Sequence, residues 1–520
     1  MAGPARKEIS KVLLLAPHGQ VYLFPDGRPA HRKHCSPPLG LAYLAANLIR
    51  HNYDVEVIDM LAEGYDNEVL MFNSIVYGLG LDELVARVGR SKPDVIGISV
   101  LFSSVISSVY RVCEALKRHF PDIPIIMGGQ HATGAPQEVM KNRHIDYVLR
   151  GEADVSFPLF LRALSGDMAL DSVPGLMYRQ GDGVVDSMRS IAPAVSGEGW
   201  NYYQMKDSGV PLELDTLSVP AWKLFPMQRY WAVDARPGSG DAFARKYAVM
   251  LSSRGCPHVC YYCTSPLSSS YRGYRRRSID SIIDEIHWLV REIGVQEVMF
   301  YDDNFFVAKP RAKELVRRLA LEFPRLYFSV PGGTDVNQLD EEMIDLLAAA
   351  NFHKITLNIE SGNPEIQQSL IDKKVKLGRV PKVIEYLRSK KIETRAMLMI
   401  GFPGETRQSI DMTAKLAMGL NVDDFMLSIV CPLPGTPLFD ECMAKNLFVE
   451  GFSLDQIRYA LSVIRLPDTT PEELESIRHS VWMEGFEHRR RNTVTIGAGP
   501  VKKFVNVEDY ERSGFKLCRK

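Results

Sequence analysis

The sequence lacks both a long hydrophobic run and an excess of charge of one sign. Its 62 Lys and Arg residues stand against 63 Asp and Glu residues, a formal net charge of −1, which argues against a chain-wide attraction to nucleic acid or an anionic membrane. The most apolar stretch, residues 95–110, is interrupted by serine and glycine and stays below the ~18 apolar residues of a membrane span. The N-terminus, MAGPARKEIS, has no apolar core, so we expect no signal peptide.

Cysteine is scarce as well, at 8 of 520 residues. Five of the eight are scattered without the spacing of a disulfide framework: Cys35, Cys113, Cys431, Cys442 and Cys518. We therefore expect a reducing, cytoplasmic location. Cys113 falls inside a helical pattern and is predicted to lie in the core. For Cys431, which follows a predicted strand, a structural role is a simpler interpretation than metal binding.

The other three cysteines share one segment, SSRGCPHVCYYCTSP: Cys256, Cys260 and Cys263. Three thiolates with C-x3-C-x2-C spacing can bind one metal centre if the backbone loops tightly, which Gly255 and Pro257 favour. A structural zinc site or an ordinary ferredoxin cluster takes four protein ligands, whereas three cysteines on a four-iron cluster leave one iron open. The alternatives are a zinc knuckle with His258 as fourth ligand, or thiols that merely pack.

This spacing, with Tyr262 before the last cysteine, resembles the signature of the radical S-adenosylmethionine (SAM) enzymes. The resemblance implies a 4Fe-4S cluster on the three cysteines, with SAM on its open iron. It implies that an electron from the cluster cleaves SAM to a 5′-deoxyadenosyl radical. It also implies an external electron donor, a flavodoxin or a ferredoxin-like protein.

Residues 1–190 alternate short apolar strands with amphipathic helices, which predicts an α/β fold with a doubly wound, Rossmann-like parallel sheet. The predicted strands are 11–17, 54–60, 94–100, 123–128 and 146–149, and the predicted helices are 39–51, 81–90 and 105–120. Residues 174–187 predict a hairpin. Ligands of such sheets bind beyond the carboxyl ends of the strands.

Four segments of this domain, SPPLGLAYLA, VIGISV, GGQHAT and VLRGEAD, together resemble the cobalamin-binding domain that precedes many radical SAM cores. The resemblance implies cobalamin contacts from Pro38, Leu39, Gly40, Ser99, Leu101, Phe102, Gly128, Gly129, Gln130, His131, Gly151 and Glu152. The Asp-x-His-x-x-Gly motif, which supplies an axial histidine in other cobalamin proteins, is absent. We therefore interpret His18 and His131 as hydrogen-bonding groups. Leu101 and Phe102 are candidates to cover the lower face of cobalt, and packing under the sheet is their alternative.

Residues 246–445 repeat six strand–helix units, which predicts a partial (β/α)6 barrel with its functional groups at the carboxyl ends of the strands. The predicted strands are 247–252, 297–301, 326–330, 354–359, 394–400 and 424–430, and Ser278 is the expected N-cap of the first helix. After the cysteine loop, the strand ends carry Asp302-Asp303-Asn304, Gly332-Gly333-Thr334-Asp335, Glu360-Ser361-Gly362, GFPGET and CPLPGTP. Each is consistent with a turn or a helix cap, but their coincidence around one barrel indicates a binding site.

The resemblance implies that SAM is bound by Tyr262, Gly332, Gly333, Glu360, Gly401 and Gly404. Among these, the glycine pair faces the amino group, Glu360 binds the ribose, and the last two glycines lie near the adenine. Residues 191–245 are predicted to form an ordered interdomain crossing, because their aromatic residues argue against a flexible linker. Residues 446–520 are predicted to form a helical tail without a chemical motif.

The combination of domains resembles the methyltransferases of this family. It implies transfer of a methyl group from SAM, via methylcobalamin, to an unactivated carbon of a small natural-product intermediate in antibiotic biosynthesis. The layout, including AEGY at 62–65, is most similar to family members that act on a hydroxyethylphosphonate derivative. The alternatives are an oxidative cyclase or a methyltransferase for a phosphinate phosphorus, a lipid carbon or a peptide carbon. A non-catalytic cobalamin sensor would not need the cysteine loop.

An anionic substrate of this kind predicts arginine in the site, because the guanidinium pairs well with phosphate-type oxygens. The sequence offers two arginine clusters, at 275–277 and 489–491. For both, a solvated charged surface is the alternative, and Arg277 is also expected to serve the barrel itself.

Overall fold

The protein folds into two helix-covered parallel sheets, one in each half of the chain. The computed structural model describes residues 8–27, 29–30, 33–71, 73–181, 183–187, 191–197, 200–205, 213–234, 242–268, 273–496 and 503–506. The strands of the first half are β1 (Lys11–Ala16), β2 (Gly19–Tyr22), β3 (Asp54–Asp59), β4 (Glu68–Met71), β5 (Ser74–Tyr77), β6 (Val95–Ser99), β7 (Ile125–Gly128), β8 (Tyr147–Leu149), β9 (Leu176–Gln180) and β10 (Gly183–Asp186). Its helices are α1 (Leu39–Arg50), α2 (Met60–Glu63), α3 (Leu81–Ser91), α4 (Ile106–His119), α5 (Gln130–Gly134), α6 (Pro136–Lys141) and α7 (Ala153–Leu164).

The first sheet has the strand order β10-β9-β8-β7-β6-β1-β3, and its strands from β8 to β3 are parallel. The doubly wound prediction is confirmed, since all five predicted strands and all three predicted helices are present. The inner strands are mostly apolar because both faces of the sheet are covered: Leu13 packs into one core and its neighbour Leu14 into the other. The edge strand β3 carries three acidic residues. The predicted hairpin is β9–β10, which extends this sheet in antiparallel fashion. The small antiparallel sheet β2-β5-β4 was not predicted.

The second half begins with a hairpin of β11 (Ile191–Gly197) and β12 (Trp200–Met205), followed by α8 (Met227–Asp234). Its further strands are β13 (Tyr247–Met250), β14 (Ser253–Arg254), β15 (Arg275–Arg276), β16 (Glu297–Phe300), β17 (Tyr327–Asp335), β18 (Phe352–Glu360), β19 (Glu393–Ile400), β20 (Asp424–Ile429), β21 (Thr493–Ile496) and β22 (Lys503–Asn506). Its further helices are α9 (Ser265–Ser268), α10 (Ile279–Trp288), α11 (Lys309–Glu322), α12 (Glu341–Ala349), α13 (Pro364–Ser369), α14 (Val380–Ser389), α15 (Arg407–Gly419), α16 (Pro437–Ala444) and α17 (Pro471–Asn492).

The second sheet is the predicted six-stranded partial barrel, with the order β13-β16-β17-β18-β19-β20 and every neighbouring pair parallel. Ser278 caps α10 as predicted, since its side chain accepts from the Ser281 N–H at 3.1 Å. The predicted end of the third barrel strand at residue 330 is wrong, because β17 continues to Asp335 with a register shift beside β18. Gly333 makes this possible: its φ is +95°, and a Cβ there would lie 2.1 Å from Asn358 Oδ1.

The described part of the crossing segment packs between the two halves. Tyr230 donates its hydroxyl to Asp59 Oδ2 at 2.6 Å, and Trp231 Nε1 donates to the carbonyl of Tyr247 at 2.8 Å. These bonds tie α8 to the end of β3 on one side and to β13 on the other. Among the described residues, no helix combines the length and apolar character needed to cross a membrane.

Candidate active site

The carboxyl edge of the first sheet faces the carboxyl mouth of the barrel. Several contacts join them. Ser36 Oγ lies 3.3 Å from the Tyr301 hydroxyl, Gln130 Nε2 donates to the Thr264 carbonyl at 3.3 Å, and Gly134 approaches Pro434 so closely that a Cβ on it would lie 2.2 Å from the Pro434 carbonyl. The CPLPGTP loop thus packs against the first half of the protein. The cysteine loop is held opposite the edge at which a doubly wound sheet binds its ligand.

Arg254, just before the cysteine loop, links the two halves through two carboxylates. Its Nη1 donates to Glu152 at 2.8 Å and to Asp154 at 2.7 Å, and Arg275 binds the same Glu152 carboxylate. Ser253 and Arg254 also pair with Arg275 and Arg276 as β14 and β15, which closes the base of the loop. Glu152, expected at the cobalamin edge, therefore has its carboxylate bound by two arginines.

Two of the three arginines in the first cluster are paired with carboxylates, whereas the third, Arg276, is exposed. Arg275 is bound to Glu152, and Arg277 forms a buried ion pair with Glu285. The interpretation of these two residues as substrate-binding is wrong, whereas the expectation that Arg277 serves the barrel is confirmed. The side chains of the second cluster, at 489–491, lie outside the described part of the chain.

Two acidic residues at the end of β16 shape the cysteine loop. Asp302 accepts from the Ser252 N–H at 3.0 Å and from its hydroxyl at 2.7 Å, and Asp303 accepts from the Gly255 N–H at 3.0 Å. Burial raises the pKa of the Cys256 thiol to about 12 and also raises the pKa of Cys260 and Cys263. Cysteine binds iron as a thiolate, so a metal at this site would have to displace the thiol protons. A pre-shaped set of three cysteines, with Cys260 buried and Cys256 and Cys263 half-buried, fits a cluster.

His258 does not behave as a fourth ligand of a zinc knuckle. Its Nδ1 lies 3.2 Å from Asp372 Oδ2, and the same carboxylate oxygen accepts from the Val259 N–H at 3.3 Å. Among the described residues, no three His, Cys, Asp or Glu side chains form a group that could hold a single metal ion. A four-iron cluster does not require the three side chains to converge on a single ion, because each cysteine binds a different iron atom.

The segment 370–374 wraps the cysteine loop from outside. The Leu370 carbonyl accepts from the Tyr261 N–H at 3.2 Å, and the backbone N–H groups of Asp372 and Lys373 bond to the Cys260 sulfur. Such N–H bonds to cluster sulfurs tune the electronic properties of an iron–sulfur centre. The segment therefore belongs to the environment of the candidate cluster.

Lys373 links this segment to the predicted SAM residues. Its ammonium is paired with the Glu360 carboxylate, with both side chains less than a tenth exposed, and the Tyr262 hydroxyl bonds to the same carboxylate. Glu360 ends β18 with φ +70°, a backbone conformation that costs a non-glycine residue energy. A buried Lys–Glu–Tyr cluster thus holds Glu360 in place beside the last cysteines.

The GFPGET loop closes the same side of the site. Glu405 accepts from the N–H groups of Gly401 and Phe402 at 2.7 and 3.0 Å, which fixes the loop. The Phe402 ring lies 5.7 Å from the Tyr262 ring. Tyr262, Glu360 and Gly401 are therefore brought together around the cysteine loop, while a Cβ on Gly404 would meet open space. This cradle of backbone and buried charge fits a zwitterionic nucleoside such as SAM.

The predicted cobalamin residues lie along the carboxyl edge of the first sheet. Pro38, Leu39 and Gly40 open α1, Ser99 pairs with Gly128 at the ends of β6 and β7, and Gly151 follows β8. Leu101 and Phe102 are 60% and 52% exposed, so the alternative that they pack under the sheet is wrong. Gly129 has φ +94°, and a Cβ there would lie 2.6 Å from the Val100 carbonyl.

The two histidines near this edge are hydrogen-bonded, as predicted. His131 Nδ1 lies 2.9 Å from Ser103 Oγ and His18 Nε2 lies 2.8 Å from the Leu79 carbonyl. Burial lowers the pKa of His131 to about 4. Each keeps one buried ring nitrogen without a partner in the described chain. A cavity of about 140 Å³ lies next to His18, lined mainly by Val69, Met71, Leu79 and Arg111. An open edge, an exposed apolar pair and an adjacent apolar cavity fit a large cofactor such as cobalamin.

Sequence reasoning missed three residues of this site: Asp154, Lys373 and Glu405. Asp154 and Glu405 stand inside the segments VLRGEAD and GFPGET, so their position beside glycines at strand ends was a usable signal. Lys373 belongs to no such segment, and only its buried ion pair identifies it.

Comparison with known proteins gives two family matches and several relatives. Residues 250–417 match the Radical SAM superfamily, and residues 28–161 match the B12 binding domain. A cytidylyl-2-hydroxyethylphosphonate methyltransferase from Streptomyces wedmorensis is 30% identical over 482 residues, covering 89% of this chain and 87% of the relative. An anaerobic magnesium-protoporphyrin IX monomethyl ester cyclase from Rubrivivax gelatinosus is 24% identical, covering 83% of this chain and 70% of the relative. The structure of TsrM from Kitasatospora setae, a radical SAM methyltransferase with cobalamin and a [4Fe-4S] cluster bound, has the same fold, with a TM-score of 0.63 at 19% identity over 90% of this chain and 81% of that chain.

Proposed function

Because the chain belongs to the cobalamin-dependent radical SAM methyltransferases, we propose that it methylates an unactivated carbon of a small, phosphonate-containing intermediate of antibiotic biosynthesis. The observation that carries the proposal is the Arg254–Asp154 bond of 2.7 Å, which holds the cysteine loop against the cobalamin edge. One substrate has to react at both cofactors, so both cofactor sites have to face the same cleft. The phosphonate is supported by the substrate named for the Streptomyces wedmorensis relative.

We assign the cofactors to residues as follows. The cluster is held by Cys256, Cys260 and Cys263, and SAM by Tyr262, Gly332, Gly333, Glu360, Gly401 and Gly404. Cobalamin is held along the edge from Pro38 to Gly151. When bound, the cluster and SAM supply a hydrogen-abstracting radical, and cobalamin supplies the methyl carrier.

The chain's own residues position and shield these groups. Asp302 and Asp303 fix the shape of the cysteine loop through bonds to Ser252 and Gly255. Lys373 places a buried positive charge near Cys256 and Cys260, which would stabilise the negative charge of an iron centre bound by their thiolates. Radical abstraction of hydrogen needs no protein base, so the site requires no acid–base pair at the reacting carbon.

A flavodoxin or ferredoxin-like electron donor and a cytoplasmic location form part of the same proposal. The cluster needs an external electron. None of the seven described cysteines forms a disulfide bond, as expected in a reducing compartment.

The related cyclase supports a second candidate, oxidative ring closure on another substrate. One anaerobic assay separates the two. Reconstituted protein is mixed with SAM, reductant and cytidylyl-2-hydroxyethylphosphonate, and the products are identified by mass spectrometry. We expect S-adenosylhomocysteine, 5′-deoxyadenosine and a product one methyl group heavier. Radical cleavage of SAM without any methylated product would reject the proposed function, and the Cys256→Ala variant is the control for cluster-dependent cleavage.

A further inference from the structure

Arg458 is a buried arginine at the junction of the two halves. It follows the short helical turn Leu454–Gln456 and is 6% exposed. Its Nη2 donates to the carbonyl of Ser104 at 3.2 Å, and its guanidinium carbon lies 5.6 Å from the centre of the Tyr22 ring. Both contacts reach residues of the first half of the protein.

The guanidinium is influenced by the charge of Asp455, but it forms no ion pair with any carboxylate among the described residues. Its Nε and Nη1 are buried and make no hydrogen bond there, whereas Arg254, Arg275 and Arg277 are each paired with a carboxylate. Burial lowers the pKa of Arg458 from its ordinary value, and the nearby Asp455 carboxylate offsets this effect only in part. A buried charge without a directly paired counter-ion is unfavourable, and a bound anion would reduce that cost.

The position of Arg458 is that of a substrate-binding residue. Ser104 follows Leu101 and Phe102, the exposed pair on the cobalamin edge. The next residue in the chain, Tyr459, is 52% exposed as a whole residue, but its hydroxyl group is buried. That burial is the main cause of its raised pKa, and the nearby thiols of Cys431 and Cys263 raise the pKa further. The Tyr459 carbonyl accepts from the Ile429 N–H at 2.8 Å, which anchors this segment to the end of β20. Arg458 thus lies between the candidate cobalamin site and the candidate cluster.

We propose that Arg458 binds the phosphorus oxyanion of the substrate, donating from Nε and Nη1 within the cleft between the two halves. Arginine suits this ligand because it stays charged and offers several N–H donors to phosphate-type oxygens. The inference rests on the proposed function for the identity of the anion. The phosphodiester of the cobalamin nucleotide carries the same chemistry, and the experiment below separates these two sources.

The test is a binding measurement on the reconstituted holoenzyme, with 2-hydroxyethylphosphonate and its neutral dimethyl ester as probes. The variants are Arg458→Met and Arg458→Lys, and the matched control is Arg465→Met, an exposed arginine seven residues further along the chain. We expect Arg458→Met to bind the anionic probe at least tenfold more weakly than the unaltered protein does, and Arg465→Met to bind it equally well. The neutral ester should bind weakly to all of them. If Arg458→Met does not fold, the Arg458→Lys variant tests the inference instead. We expect it to bind the anionic probe at least threefold more weakly than the unaltered protein does, because lysine offers fewer hydrogen-bond donors than arginine.

Equal binding of the anionic probe by the unaltered protein and a folded Arg458 variant would overturn the inference. Buried water would then be the partner of the Arg458 guanidinium. Loss of bound cobalamin in Arg458→Met, with phosphonate binding retained, would overturn it in favour of the cobalamin phosphodiester. Failure of the unaltered protein to bind the anionic probe would reject both the inference and the phosphonate substrate. Arg458-dependent binding without a methylated product in the assay above would reject the proposed function and leave the inference standing.

Discussion

Arg254 and Asp154 lie 100 residues apart in sequence, yet their side chains meet at 2.7 Å and join the cysteine loop to the cobalamin edge. Both side chains are about a tenth exposed, at 12% and 8%. Arg254→Met leaves the Asp154 carboxylate buried without its partner, and breaking a buried pair in this way costs about 3–5 kcal/mol. The double variant Arg254→Met/Asp154→Leu should recover part of this loss. Urea unfolding of the single and double variants measures it, and equal instability of the two would contradict the coupling.

Each of Cys256, Cys260 and Cys263 is expected to be essential for the cluster. Replacing any one with alanine should remove most of the bound iron and abolish reductive cleavage of SAM, because three thiolates are the minimum that holds the cluster with one iron open. Iron content and the yield of 5′-deoxyadenosine are the measurements. Cys442→Ala, a change at a buried cysteine outside the loop, is the control and should retain both. Continued formation of 5′-deoxyadenosine by the triple variant would disprove the cluster assignment.

Cobalamin is expected to bind without a nitrogen ligand from the protein. His131 is 2% exposed and bonded to Ser103, while Leu101 and Phe102 are exposed at the edge. The electron paramagnetic resonance spectrum of the bound cob(II)alamin should therefore show no nitrogen superhyperfine splitting. His131→Ala should leave that spectrum unchanged. A clear splitting that disappeared in a His18 or His131 variant would instead identify an axial histidine.

Lys373 is expected to raise the reduction potential of the cluster. Its buried ammonium lies near the Cys256 and Cys260 sulfurs, and the reduced cluster carries one more negative charge than the oxidised one. Lys373→Met should shift the reduction equilibrium about tenfold toward the oxidised form, which is ~59 mV for a one-electron couple. A redox titration measures this directly. The Lys373→Arg variant should have a reduction potential close to that of the unaltered protein. Lys374→Met, at an exposed neighbouring lysine, should leave the potential unchanged. An equal shift in both methionine variants would contradict the role of Lys373.

The buried carboxyl group of Asp59 is expected to make the stability of the folded protein depend on pH. Burial raises its pKa from 3.8 to about 6, although the bonds from Tyr230 and Ala62 oppose the rise. Between these two values the folded protein holds a proton that the unfolded chain releases, so the free energy of unfolding falls as the pH rises through this window. The total change is ~3 kcal/mol at about 1.4 kcal/mol per pKa unit. Asp59→Asn should flatten this slope, as measured by urea unfolding from pH 4 to 7, and an identical slope in both proteins would exclude Asp59 as its source.

Much of the fold could be predicted because its signals are local. The strands β1, β6, β7 and β8 are mostly apolar, since the interior of a parallel sheet covered on both faces holds few polar side chains. The edge strand β3 alternates valine with acidic residues in its first half. The end of β17 could not be predicted in this way. Gly332 and Gly333 have the composition of a turn, and only the neighbouring β18, with Asn358 against Gly333, keeps them inside the strand.

The sequence by itself determined the two families of the chain and the three cysteines proposed for its cluster, because that motif lies within eight consecutive residues. Only the tertiary structure decided what the charged residues do. It paired Arg275 and Arg277 inside the protein, brought Lys373 to Glu360, and placed Arg458 against Ser104 across 354 residues. The physical reason is that periodicity and spacing describe how a segment packs along its own length. The partner of a charge depends on how two separately folded sheets face each other, which no local pattern encodes.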